Sequence, residues 1–442
     1  MKSDMEEGAD GSITGLDYDD DHILRAPSLR FSVGENLSCD DEEGEACRRL
    51  IAAVDAALAR RGGAGGHPDI EALEINFVYS SPHNMFISLP VRGSWYFLPH
   101  RHATGISSAH VAAWLRFAAC HVTGSFKLAV PTLMGPAMTA LMPEERERST
   151  EMPASARAEA ISLSFGYACL TVPSAAAFHA LRDLHIGHAS VEPGGADERN
   201  LGELLSAASC PRLRRLRLEH IAGLVALRID AAATLEELRL EEIRGLNSLE
   251  VDAPGLRELR DQTMKQWDDI QDMTSFVPQL PNVTDLSIEI GPGHWHNLKS
   301  IITELITKCS RLERLSINIE CANDACSKPQ CFCNGRDYDQ KISMEHLREV
   351  KFTHFLPSKY HMSFVQLMME GAPALQRMTV ELYVGKDLDC SSIPGDRGHW
   401  APCPMDSSKR VRTKAYEWTL DKKPLDNRPD EEGGHDHILS KF

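Results

Sequence analysis

The pattern L-x-x-L-x-L, with other aliphatic residues allowed, recurs along most of this 442-residue chain and limits its fold more than any other feature. Clear copies are Ile70/Leu73/Ile75, Leu181/Leu184/Ile186, Leu213/Leu216/Leu218, Leu224/Leu227/Ile229 and Leu235/Leu238/Leu240. Others are Leu246/Leu249/Val251, Val283/Leu286/Ile288, Leu312/Leu315/Ile317, Leu347/Val350/Phe352 and Leu375/Met378/Val380, with weaker ones at Ala158/Ile161/Leu163 and Leu256/Leu259. The last two positions of each triplet are two residues apart, so they share one face of a short strand. The first sits just before the strand, where a turn aims it into the same core. One such unit cannot cover its own apolar face, but stacked neighbours bury a continuous ladder. The expected fold class is α/β: a leucine-rich-repeat solenoid with a curved parallel β-sheet, helices and short convex strands.

In the centre the motifs start at positions 213, 224, 235, 246 and 256. A leucine-rich coil takes about 20–29 residues, so two motifs make one coil, with one strand concave and one convex. RLRRLRLEHIAGLVALRIDAAA is followed by its tandem copy TLEELRLEEIRGLNSLEVDAPG, and Gly223 and Gly245 fall at matching turns. Leu298, Ile301, Ile302, Leu305 and Ile306 follow helical spacing, as do Phe364, Leu367 and Met368 before a capping Gly371. Upstream, Val111, Trp114, Leu115, Ala118 and Val122 form an apolar stripe behind a Ser107 N-cap. Phe126, Leu128 and Val130 then alternate as a strand that Pro131 stops. The runs GGAGG (62–66) and PGGADER (193–199) read as loops, without the strand-to-helix context of a phosphate cradle.

The net charge of −17 is unevenly placed, with about −11 of it in residues 1–45. Residues 1–47 therefore read as an acidic disordered tail, and the chain lacks the basic clusters that nucleic-acid binding needs. The longest apolar stretch, 111–122, is broken by Arg116 and falls short of the ~20 residues of a membrane span. No apolar segment follows the acidic MKSDMEEGAD start, so no secretory signal is expected. The twelve cysteines then read as reduced thiols in the cytoplasm or nucleus. The expected organisation continues with N-terminal capping and first irregular coils over 48–200 and a central repeat block over 201–310. A C-terminal repeat region follows over 311–385, and a flexible tail over 386–442.

Little catalytic chemistry stands out. Cys321, Cys326, Cys331 and Cys333 offer four thiols that could surround Zn²⁺, but their C-x4-C-x4-C-x-C spacing departs from paired C-x2-C knuckles. A cysteine-rich loop is the plainer account, and no cofactor is expected. The pairs His100/His102, His294/His296 and His435/His437 sit in loops without a carboxylate at ligand spacing. No G-x-S-x-G elbow, H-E-x-x-H helix or kinase signature occurs, so an enzyme is not expected. Lys409, Arg410, Arg412 and Lys414 read as a charged tail segment, with nuclear import as the lesser alternative. Arg215, Arg217, Glu237 and Arg239 occupy the non-core places of two strands, where a concave sheet presents them outward as a candidate protein-binding face.

The segments VDAALARR (54–61), DIEALEINF (69–77), HVAAWLRFAA (110–119), VTGSFKLAVP (122–131), the central repeats and APALQRMTVELY (372–383) carry a resemblance. In this order, spanning about residues 48–385, they resemble grass F-box/leucine-rich-repeat proteins with an FBD-like C-terminal region. That resemblance implies a substrate-recognition subunit of an SCF-type ubiquitin ligase, whose F-box holds a Skp-type adaptor while the repeats choose the target protein. Residues 1–47 contain no F-box of the LPDDVL type, so the resemblance carries over to target binding first, with a Skp-type adaptor as a further candidate partner. The alternatives are a small-ligand-sensing horseshoe and a stand-alone repeat scaffold outside the ubiquitin pathway.

Overall fold

The computed structural model describes residues 26–32, 40–63, 69–77, 106–130, 149–166, 168–192, 195–231, 233–243, 246, 248–262, 280–290, 303, 305–319, 343–355, 359–382, 398–403 and 414–420. Its strands are β1 (Ser28–Ser32), β2 (Ile70–Asn76), β3 (Val122–Ala129), β4 (Ser149–Glu151), β5 (Ala160–Ser164), β6 (Cys169–Thr171), β7 (Asp183–Ser190), β8 (Arg215–Ala222) and β9 (Ala226–Asp230). They continue with β10 (Glu237–Glu241), β11 (Ser248–Asp252), β12 (Glu258–Gln262), β13 (Asp285–Ile290), β14 (Arg314–Ile319), β15 (Glu349–Phe355), β16 (Arg377–Leu382), β17 (Gly398–Pro402) and β18 (Ala415–Leu420). Among the described residues they are joined by α1 (Asp40–Arg61), α2 (Ser108–His121), α3 (Ala196–Leu204) and α4 (Lys359–Gly371).

The fold is α/β, built on a 16-stranded, mostly parallel sheet that does not close into a barrel. Its path runs β1-β2-β3-β5-β7-β8-β10-β12-β13-β14-β15-β16-β18-β17, and only its last pairings are antiparallel. Between β8 and β12 the chain alternates between this sheet and a second, two-stranded parallel sheet formed by β9 and β11. The 11-residue spacing of the central motifs thus separates strands of different sheets, as expected from the tandem copies.

Every aliphatic triplet found in the sequence leads into a strand, and the registers show why. Leu184, Leu216, Leu238, Leu259, Leu286, Leu315, Val350 and Met378 are direct partners from strand to strand. All are at most 5% exposed. Each fully buried aliphatic side chain of this size contributes about 1.5–3 kcal/mol. The lead residues Leu213, Leu235, Leu256, Val283, Leu312, Leu347 and Leu375 are buried as well. Just before each strand a backbone N–H donates to the same position of the preceding unit, in an unbroken series from Arg214 N to Arg182 O through Gln376 N to Arg348 O. These bonds are 2.7–2.9 Å long and tie the turns as firmly as the ladder ties the strands.

Ser107 caps α2 as its sequence suggests, accepting from the His110 N–H while the His110 ring accepts from the Ser107 N–H. Val111, Trp114, Leu115 and Ala118 are the buried stripe, whereas Val122 already opens β3. Gly223 has φ 79°, the left-handed turn its residue type allows.

Three expectations need correction. The tail expected over 1–47 contains β1 and the start of α1, with Leu29 and Phe31 buried against the core. Two alternating apolar residues are enough to add a strand to an existing parallel edge. Likewise the segment 386–442 contributes β17 and β18, and Trp418 is buried where β18 pairs with β16. Residues 196–199 of PGGADER form the first turn of α3 and not a loop. Among the described residues no helix is long and apolar enough to cross a membrane.

Candidate functional site

Strand alternation that buries the leucines sends the intervening residues to the other face. Arg30, Glu74, Lys127, Ser162, His185, Arg217, Arg239 and Arg260 follow one another at a single register position from β1 to β12. Residues from seven of these strands, β1 to β10 along the sheet path, line a hollow of about 600 Å³. Arg215, Arg217, Glu237 and Arg239, the four residues singled out in the sequence, all line it.

Each of the four is already paired. Arg215 holds Asp183 of the neighbouring strand through two N–H···O bonds of 2.5 and 2.6 Å. The Asp183 carboxylate keeps that guanidinium even more firmly protonated than usual. Arg217 bridges Glu219 on its own strand at 3.0 Å and Glu241 on the next at 2.8 Å. Arg239 pairs with Glu237 and reaches Glu258 at 3.6 Å, and Arg260 takes Glu258 at 2.6 Å. Farther along, Arg314–Asp285, Arg377–Glu349 and Lys351–Glu381 repeat the motif. Exposed pairs of this kind contribute about 0–1 kcal/mol each.

At the carboxyl end of β7 and β8 a second constellation appears. His188 and His220 both adopt left-handed backbone, at φ 47° and 50°, and their rings stack with centroids 4.6 Å apart. Glu219 lies between the two strands: its Oε2 is 3.1 Å from His185 Nε2, and its Oε1 is 3.7 Å from His220 Nε2. The His185 hydrogen bond holds the Glu219 carboxyl down to about 2, against the opposing effect of burial, with Arg217 assisting. Burial, then the neighbouring His220, keeps His188 below the usual histidine range. On the outer sides, His220 Nδ1 is 3.1 Å from Glu242 Oε2 and His188 Nδ1 is 3.3 Å from Ser164 Oγ.

Sequence reasoning passed over this cluster. The available signal was positional: Gly187-His188 and Glu219-His220 stand at matching places in adjacent strands, after Ile186 and Leu218 and before the buried Ala189 and Ile221. The thiols of Cys321, Cys326, Cys331 and Cys333, the three histidine pairs and Lys409, Arg410 and Arg412 of the basic run all lie outside the described residues. Among described cysteines, Cys47, Cys210 and Cys309 are buried and Cys120 is exposed, none of the four in a disulfide.

No protein-family model matches the chain, and no curated protein matches it.

Proposed function

We propose that this chain is a leucine-rich-repeat solenoid of the F-box/leucine-rich-repeat kind that binds a target protein on the polar face of its large sheet. The observation that carries the reading is the hollow spanning seven adjacent strands, walled by preformed arginine–carboxylate pairs. Side chains immobilised by their neighbours lose little freedom on binding, and arginine is favoured where interfaces are strongest. Mixed signs fit a polar protein surface better than a polyanion. On the resemblance to ligase substrate receptors, the repeats would select the target, in the cytoplasm or nucleus. No catalysis is assigned.

A second reading, a small-ligand sensor, is favoured by the volume of the hollow, which lies within the roughly 300–1,000 Å³ of ligand pockets. The charged walls argue for the protein partner.

The test compares proteins cross-linked to the wild-type chain with those cross-linked to R215E/R217E/R239E and to R228E. Arg228 lies on β9, in the other sheet, and serves as the control. A target retained by R228E and lost from the triple variant supports the reading. Equal capture by all three chains rejects it, and a purified Skp-type adaptor added to each reports whether the chain joins a ligase.

A further inference from the structure

The C-terminal ends of β7 and β8 bring together three side chains of metal-ligating type. We propose that His188, His220 and Glu219 form a binding site for one divalent transition-metal ion, Zn²⁺ foremost.

The geometry begins with the backbone. Gly187 pairs with Glu219, and Ala189 with Ile221, so His188 and His220 occupy the same intervening position of adjacent strands. Their shared left-handed conformation turns both rings to one side, which places three ligand atoms from His188, Glu219 and His220 within 4.8 Å of one another. A tetrahedral ion with bonds of about 2.1 Å sets its donors about 3.4 Å apart. The 3.7 Å between His220 Nε2 and Glu219 Oε1 is close to that spacing.

The surroundings select the atoms. Glu242 at His220 Nδ1 and Ser164 at His188 Nδ1 hold the outer ring nitrogens and so orient both imidazoles. A carboxylate behind a ligating imidazole is the usual way a protein orients it and raises its basicity. Glu219 is divided in the same sense: Oε2 is engaged by His185 and Arg217, and Oε1 is turned towards His220. Gly187 keeps this space clear, since a Cβ there would lie 3.2 Å from His185 Nε2. Glu219, Glu241 and Glu242 outweigh Arg217, so the locality carries two net negative charges when the histidines are neutral. Two imidazoles and one carboxylate suit a borderline cation over Ca²⁺ or Mg²⁺, and three protein donors leave a fourth position for solvent or another ligand.

The experiment titrates the purified full chain with Zn²⁺ against a chromophoric chelator, and with Co²⁺ by visible absorption. A chain carrying C321S, C326S, C331S and C333S removes competing thiols. The site predicts one ion bound in both backgrounds, with a cobalt spectrum free of thiolate charge transfer. It predicts a loss of at least ~100-fold in H188N/H220N and of about 10–100-fold in E242Q. Asparagine tolerates the left-handed backbone, which protects the fold of the double variant; should circular dichroism show it unfolded, E219Q replaces it. Unchanged affinity in the folded ligand variant, binding lost with the thiols alone, or no binding by the wild-type chain would each overturn the proposal.

Discussion

Trp114 donates its indole N–H to the Asp55 carboxylate at 2.8 Å, joining α2 to α1 across 59 residues of sequence. Phe77 stacks on the same indole with ring centroids 5.6 Å apart, so one side chain locks two helices and the strand β2. Asp55→Ala strands a buried donor and should destabilise the chain by about 1–3 kcal/mol. Trp114→Ala should cost more, about 3–5 kcal/mol. Urea unfolding of both variants checks the order, and a Trp114→Ala midpoint equal to wild type would remove this junction from the core.

Leu238 is fully buried with Leu216 and Leu259 as its register partners on either side. Its truncation to alanine should cost about 2–5 kcal/mol. Arg228→Ala, on the exposed side of β9, should stay within about 0.5 kcal/mol. Calorimetry of the two variants separates a stacked aliphatic ladder from leucines that merely line strands, since the latter would make the two changes alike.

Gly255 sits where a Cβ would meet the Ala233 carbonyl oxygen at 1.8 Å. Neither atom belongs to a flexible side chain, so Gly255→Ala must displace backbone between consecutive units. We expect a loss of about 1–3 kcal/mol, from overpacking alone. Gly202→Ala, with its nearest contact at 2.9 Å, should lose less. Reversal of that order in thermal melts would contradict the packing of the turn.

Burial pushes the Cys210 and Cys309 thiols up to about 12 from 9.0. The folded chain therefore holds these protons more tightly than the unfolded chain does. Their contribution to stability is complete below pH 9.0 and drains away as pH rises towards about 12. Urea midpoints should fall across that window, and fall less steeply in C210A/C309A. Iodoacetamide at neutral pH should label the exposed Cys120 first and reach Cys210 and Cys309 only with unfolding. Rapid native labelling of Cys210 would place its thiol outside the core.

The strands were readable because their cause is local: Leu216 and Leu218 alternate with Arg215 and Arg217, and the same beat returns in each unit. Strand β1 escaped because Ala26 stands in the lead place before Leu29 and Phe31, amid acidic residues, where the template is faintest. Strands β17 and β18 escaped because they pair antiparallel with each other and obey no repeat. The arginine face followed from alternation alone. The histidine cluster did not, since it depends on His188 and His220 adopting left-handed backbone within β7 and β8, and nothing in a single histidine announces a positive φ.

The strand order also bears on how such a chain can change length. Among the described residues, the strands of the large sheet from β8 to β15 each hydrogen-bond only to the strands on their two sides, and the antiparallel β18–β17 pair shields one edge. Duplicating or deleting a whole unit inside the row, such as the tandem pair around Gly223, would leave both ends untouched. Gene duplication could in this way widen or shorten the charged surface in steps, without inventing a new terminus each time.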